Sequence, residues 1–360
     1  MTTNESVEIP GPVADSFTDG IDHPDLLLWD SWTYEYDGTL TLFCLAVAKR
    51  DRRGSEVTAA NRDDYPFHVR RFTSRDAGQT WRDEGAYLTP SERGDGAASH
   101  NVWSGSALVH DGKLLFAFTG VRAPTSNRRF LQSVCLLEAG LDGTPPSVDD
   151  AIVLSDPELD YDEICRAGYY VAPPVAVGSD AGEEDGPILG WRDPFLIAEG
   201  DGCVRAYWSG KVAPTRPVVV QARLRRGTNG WAVEELLPPI ELPDAADYTQ
   251  AEVPKVYADP SGGFLMLLST CDRLREDQPD DEVSKELRLF KGASLDGPWT
   301  SYAPGGSVLP GVRHLFGGSL VKVGRGQITV LAPYTAMAVP DKRLTFAPLR
   351  TINLTRADVA

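Results

Sequence analysis

Cysteine is scarce and scattered. Cys44, Cys135, Cys165, Cys203 and Cys271 are well separated and form no C-x-x-C pair, which argues against clustered metal or redox chemistry and makes them expected buried free thiols. No two of the five histidines stand at metalloprotease spacing. Basic residues are in deficit: 35 Lys and Arg against 52 Asp and Glu give a formal charge of -17. That balance disfavours nucleic acid and anionic membranes as partners and leaves a small neutral or cationic ligand. Long apolar runs are missing as well, since no stretch approaches the ~18 residues of a membrane span. The opening "MTTNESVEIPGPVADSF" has neither the basic n-region nor the apolar h-region of a signal peptide. The chain therefore reads as soluble, cytoplasmic or secreted without a recognisable signal peptide.

Helical signals are also sparse. What fills the 360 residues instead is short runs of Val, Leu, Phe, Thr and Tyr, punctuated by 34 glycines and 27 prolines, the pattern of an all-β chain. With 42% apolar and 24% charged residues, there is enough material for a packed core. One unit recurs five times: "YEYDGTLTLFCLA" (34–46), "LVHDGKLLFAFTG" (108–120), "LIAEGDGCVRAYWSG" (196–210), "VYADPSGGFLMLLST" (256–270) and "LVKVGRGQITVLAPY" (320–334). Each is a strand, a polar glycine turn and a second strand. The turn glycines Gly38, Gly112, Gly202, Gly263 and Gly326 lie roughly 60–90 residues apart, room for four strands and long loops. Radial repetition limits exposed sheet edges, so five hairpins predict five propeller blades in one domain. The expected layout is a lead segment over residues 1–25 and a single five-bladed β-propeller over 26–360. A two-domain sandwich gives no reason for five similar hairpins.

"SRDAGQTW" (74–81) has the S-x-D-x-G-x-T-W form of an Asp-box turn, and "SLDGPW" (294–299) resembles a shortened copy. Asp76 and Trp81 are therefore read as structural, the carboxylate accepting backbone N–H groups and the indole packing beneath. His68, leading into the strand before this turn, is read as structural too.

Polar motifs precede the recurring turns by about ten residues: "LLWDSW" (27–32), "NVWSGSA" (101–107), "GWRDPF" (190–195), "QAEVPKV" (250–256) and "RHLFGG" (313–318). If each opens the innermost strand of its blade, the five converge at one end of the channel. Asp30, Asp193 and Glu252 then become neighbours, and crowding of like charge in a partly desolvated funnel raises carboxyl pKa values. One carboxylate to attack or activate water and one acid to protonate a leaving oxygen is what glycoside cleavage needs. Asp30 lies between two tryptophans, an unusual place for a turn residue, and Glu252 sits in a strand-like run where an idle carboxylate would be costly to bury. Asp193 before Pro194 also fits a plain turn. Trp29, Trp103 and Trp191 fit either core or sugar-stacking walls, their place beside acidic motifs favouring the latter.

In order, WDSW, WSGSA, RDP, E-x-P-x-V and the closing "LTFAPLRTINL" (344–354) resemble the levansucrase and inulosucrase family, five-bladed propellers related to the invertases, over about residues 26 to 355. By matching motif the resemblance implies Asp30 as nucleophile of a covalent fructosyl-enzyme, Asp193 as transition-state stabiliser and Glu252 as acid/base. It implies a substrate subsite of Trp29, Trp103, Ser104 and Arg192, with Arg273 and Gln250 towards the leaving sugar. Gln250 stands where the family often has Glu; Val253 and Lys255 replace the Arg and Asn that follow its acid/base; and Thr249 stands where many members place an Asp calcium ligand. No metal or other cofactor is expected. The implied activity is that of a retaining β-fructofuranosidase or fructosyltransferase acting on sucrose or a related β-fructofuranoside, with a small carbohydrate as partner and neither nucleic acid nor membrane. Two other readings remain: another furanosidase or sialidase-like glycosidase on a related propeller, for which Arg192, Arg273 and Arg313 are few arginines, or a non-catalytic sugar-binding propeller. The acidic stretches "SDAGEEDGP" (179–187) and "REDQPDDEVSKE" (275–286) read as solvated surface.

Overall fold

The computed structural model describes residues 7–122, 128–178, 186–200, 202–228, 230–275, 278–338 and 342–354. Five antiparallel sheets stand around a channel as the blades of a β-propeller. Blade one holds β1 (Phe17–Thr18), β2 (Leu26–Tyr36), β3 (Thr39–Ala48), β4 (His68–Ser74) and β5 (Thr80–Leu88); blade two holds β6 (Asn101–His110), β7 (Lys113–Val121), β8 (Gln132–Ala139) and β9 (Ile152–Ser155). Blade three comprises β10 (Arg192–Gly200), β11 (Cys203–Ala213), β12 (Arg216–Gly227) and β13 (Gly230–Leu236). Blade four comprises β14 (Gln250–Ala258), β15 (Phe264–Cys271), β16 (Lys285–Gly292) and β17 (Trp299–Ser301), and blade five β18 (Ser319–Gly324), β19 (Gln327–Leu331) and β20 (Arg350–Asn353).

The five recurring sequence units are the first two strands of the five blades. Their turn glycines all have positive φ, from 68° at Gly38 to 80° at Gly263, a backbone that L side chains disfavour. The second strand of each blade is its most buried element, because it is covered on both faces by neighbouring blades; β3 and β7 are buried over almost their whole length. The first strands, β2, β6, β10, β14 and β18, pack side by side around the channel.

Closure joins the two ends of the chain. Ser31 N donates to the Gly317 carbonyl at 2.7 Å and Leu28 N to the Leu344 carbonyl at 2.8 Å, tying blade one to the segments flanking blade five. Ile21 pairs with Phe346, and both are fully or nearly fully buried. The described residues before β2 are therefore packed on the propeller: β1 adds a fifth strand to blade one beside β5. A buried ion cluster holds this segment in place. Arg70 grips Asp83 through two nitrogens at 2.7 and 2.5 Å and donates to the Pro10 and Gly11 carbonyls, while Asp83 also accepts from Val13 N and lies 3.3 Å from His23.

The Asp-box turns β4 into β5 as the sequence predicts. Asp76 accepts from the Thr80 amide at 2.9 Å and the Thr80 hydroxyl at 2.7 Å, and Trp81 is buried. Its shortened relative differs: Asp296 binds Arg205 of blade three at 2.6 Å, although Trp299 is buried in the same way. His68 is buried inside blade one. Four cysteines are buried thiols; Cys165, on the helix α1 (Tyr161–Arg166), is exposed, contrary to the expectation for all five.

Candidate functional site

At one mouth of the channel a cleft of about 2080 Å³ is lined by Trp29, Asp30, Trp103, Ser104, Arg192, Asp193, Glu252 and Arg273, among others. Residues from the first four blades thus meet, and Phe316 of the fifth motif lines the same cleft, so the five segments converge as the sequence predicts. The local device that brings them there is a β-bulge in each innermost strand. Pairing of β2 with β3 skips from Trp29 to Ser31, of β6 with β7 from Trp103 to Gly105, of β10 with β11 from Arg192 to Phe195, and of β14 with β15 from Glu252 to Lys255. An extra residue frees its side chain from the alternation of the pleat and bends the strand. Asp30, Asp193 and Val253 adopt φ of 42°, 65° and 49° at these points, an uncommon backbone for an aspartate and a strained one for a β-branched valine.

The strain is held by hydrogen bonds between blades. Ser104 donates a short bond to Asp30 Oδ2, joining blades two and one. Asp193 N donates to Thr119 Oγ1 at 2.8 Å, and Asp193 Oδ2 accepts from Ser209 Oγ and from Val253 N at 3.2 Å each, so this one residue links blades two, three and four. Arg192 donates to Glu252 Oε1 at 2.9 Å and reaches within 3.8 Å of Asp193. Gly317, φ 62°, closes the floor; a Cβ there would fall 2.1 Å from Asp30 Oδ1, so only glycine lets the carboxylate lie against the backbone of blade five.

Burial sets the electrostatics. It pushes the Asp30 carboxyl above the usual carboxylate range and Glu252 adds to the rise; the Ser104 bond and the charges of Lys255 and Arg62 oppose it. Asp193 is pushed up to about 7 by burial, with Arg192 opposing and Asp30 and Glu252 reinforcing. Lys255, fully buried and absent from the cleft lining, is drawn down to about 8 by burial against the pull of Asp30 and Asp193. A half-buried carboxyl, a second carboxyl oriented by an arginine, and a third tied into the backbone can perform nucleophilic and acid–base chemistry on a polar ligand.

The aromatic walls are divided. Trp29 lines the cleft, edge-on to Phe67 at 4.6 Å, with the Arg62 guanidinium 4.8 Å above its ring. Trp103 lies between Phe130 at 6.3 Å and Arg192 at 6.0 Å. Trp191 does not face the cleft: it is core, packed on Trp208 at 5.5 Å and bonded to Ser155. Gln250 is buried and outside the lining, its amide donating to the Arg273 carbonyl at 3.1 Å. It supports the loop whose Arg273 side chain pairs with Asp280.

Residues 278–281 and Lys285 line the cleft, Lys285 standing 2.7 Å from Asp280 and 6.0 Å from the Phe316 ring. The sequence reading of this stretch as solvated surface misses that role, because nothing in a run of acidic residues tells which way its loop folds. Most of the other acidic stretch, 179–185, lies outside the described residues. Thr119, Ser209, Gly317 and Lys255 were also missed as site residues; the prolines at 194 and 254, which cannot donate to a sheet ladder, are the signal that would have marked two of the bulges.

No protein-family model matches the chain, and no curated protein matches it in sequence. Solved structures do. The inulosucrase of Halalkalicoccus jeotgali bound to kestose is 19% identical with a TM-score of 0.63, covering 98% of this chain and 90% of its own. Bacillus subtilis levansucrase is 15% identical with a TM-score of 0.63, covering 97% and 89%. A levansucrase variant complexed with sucrose is 15% identical with a TM-score of 0.61, covering 92% and 84%. The chain therefore has the five-bladed propeller fold of the inulosucrases and levansucrases.

Proposed function

We propose that the protein is a retaining β-fructofuranosidase or fructosyltransferase that takes a fructosyl unit from sucrose or a related β-fructofuranoside. The observation that carries this reading is the convergence of Asp30, Asp193 and Glu252 from three separate blades at one channel mouth, with Ser104 on the first and Arg192 on the third. The neighbours' sucrose and kestose complexes support a carbohydrate ligand of this size.

In this mechanism an oxygen of Asp30, held by Ser104, attacks the anomeric C2 of the fructosyl unit. The C2–O bond to the leaving sugar breaks, and Glu252, oriented by Arg192, gives that oxygen its proton. Asp193 and Arg192 hold ring hydroxyls as positive charge develops at C2. In the second half Glu252 takes a proton from water or a sugar hydroxyl, whose oxygen bonds to C2 and releases Asp30. Two displacements on the same carbon give retention. Trp29 and Trp103 form the walls of the subsite.

The intermediate supplies the test. Glu252→Gln, denied acid and base catalysis, is expected to accumulate label from an activated fructosyl donor such as fructosyl fluoride, whose leaving group needs no proton. Intact-mass analysis should then show the protein heavier by one fructosyl unit, with the adduct mapping to the peptide containing Asp30. An adduct elsewhere, or none on a folded variant that also leaves donor uncleaved, overturns the mechanism.

A further inference from the structure

Lys255 is a buried charge that the proposed mechanism does not use. It lies on β14, two residues beyond the left-handed Val253, and is 1% exposed. Its ammonium donates to the Val253 carbonyl at 3.4 Å, a long bond to a neutral group. Burying an ammonium on such terms is costly unless opposite charge faces it. Asp30 and Asp193 are the acids whose charges act on it.

The surroundings of Asp30 show what this charge does. From β6 comes the neutral Ser104 hydroxyl; from β3 the Cys44 thiol, kept neutral by burial; from blade five the glycine floor at Gly317. From β10 come Asp193 and Arg192, but Arg192 is engaged by Glu252 at 2.9 Å and lies near Asp193. Arg62 acts from the cleft rim above Trp29, where its partial exposure lets solvent screen it. Glu252 adds a like charge. Lys255 is the cation buried with Asp30, and it does not line the cleft.

We infer that Lys255 is a positioning residue, the fixed counter-charge of the Asp30–Asp193 pair, which keeps the nucleophile in its charged, attacking form while standing out of reach of substrate. This inference rests on the proposed function for its kinetic consequence but not for its electrostatic one. The ammonium is bonded to the carbonyl of Val253, whose amide donates to Asp193, and it is buried off the cleft lining, so neither an entering sugar nor salt displaces it.

Two measurements test it separately. In the first, aspartate side-chain carbons are followed by NMR titration, with the Asp30 signal assigned from its loss in Asp30→Asn. In Lys255→Met, Asp30 is expected to lose its proton about one pH unit higher or more than in the unsubstituted protein. Lys255→Asn, shorter but also neutral, should do the same. By reciprocity Asp30→Asn should let the Lys255 amine lose its proton at lower pH, read at the lysine ε-carbon, a result that needs no change at Lys255. In the second, the acid limb of kcat/KM for sucrose should move up with the Asp30 titration. About tenfold of activity is then lost below the limb and recovered above it. An Asp30 titration unchanged by loss of Lys255, a Lys255 titration unchanged by Asp30→Asn, or activity lost by one factor at every pH would overturn the inference. Failure of the unsubstituted protein to cleave any β-fructofuranoside, with the Asp30 titration still moving, would sink the proposed function and leave the role of Lys255 standing.

Discussion

Asp83 in blade one and Asp193 at the channel mouth are both buried aspartates, 2% and 5% exposed, yet their carboxyls are driven in opposite directions. Asp83 meets two guanidinium nitrogens, two backbone amides and a histidine, and these hold it well below the usual carboxylate range despite its burial. Asp193 has a hydroxyl and one amide on its Oδ2, an arginine already engaged by Glu252, and two other carboxylates close by, and it is pushed up to about 7. One arrangement satisfies a charge and locks a segment; the other leaves charge unsatisfied where a ligand can complete it. The clamped carboxylate and the candidate site carboxylate are thus told apart by their partners, not by their depth.

Ways to break the contrast rank by size. Asp30→Asn is expected to cut turnover on a β-fructofuranoside about 10³-fold or more while far-UV circular dichroism stays unchanged. Next comes the clamp: Arg70→Met strands Asp83 without its main partner and should cost about 3–5 kcal/mol in urea unfolding. It should also loosen the N-terminal segment, read as faster hydrogen exchange over residues 10–25. Asp193→Asn should act in the opposite sense, raising stability by about 1–2 kcal/mol at neutral pH while abolishing activity. A stability loss as large as that of Arg70→Met would erase the distinction.

The pH dependence of folding gives the smallest effect. The raised Asp193 contributes stability that is present below its unfolded value and is lost as pH rises through about 7. Asp83, depressed, contributes stability present above its unfolded value and lost as pH falls. His68, drawn down to about 3 by burial, stays neutral in the fold, so stability also falls as acid protonates it in the unfolded chain below pH ~6.5. Between pH 6 and 5 the gain from Asp193 and the loss from His68, about 1 kcal/mol each, nearly cancel, so a nearly flat profile is expected, and His68→Gln should turn it into one in which stability rises by about 1 kcal/mol as pH falls from 6 to 5, measured by urea unfolding at each pH.

Much of this molecule was legible as a string of residues. The five glycine turns gave the blades, because a hairpin turn is a local demand on φ that a few residues reveal. The polar motifs about ten residues upstream located Asp30, Asp193 and Glu252, because an unexplained carboxylate in an apolar run stands out. The bulges were legible only in part: Pro194 and Pro254 mark two of them, and nothing comparable marks those at Asp30 and Ser104. They depend on which residue of the neighbouring strand each one skips, which is a property of pairing and not of either strand alone. Trp29 directly precedes Asp30 whereas Trp191 stands two residues before Asp193; both indoles are buried, but only Trp29 also lines the cleft, as the alternation of side chains along a strand requires. Lys255 showed only as a departure from a motif; its burial within the field of Asp30 and Asp193 needed the fold.

The most direct test of the account is to incubate the purified protein with sucrose and quantify free glucose and free fructose separately, beside Asp30→Asn. Glucose release by the unsubstituted protein and its near-complete loss in the variant is the expected result, with equal fructose meaning hydrolysis and a fructose deficit meaning transfer. Glucose release by Asp30→Asn at the unsubstituted rate, or no release from sucrose or any other β-fructofuranoside by the unsubstituted protein, would contradict it.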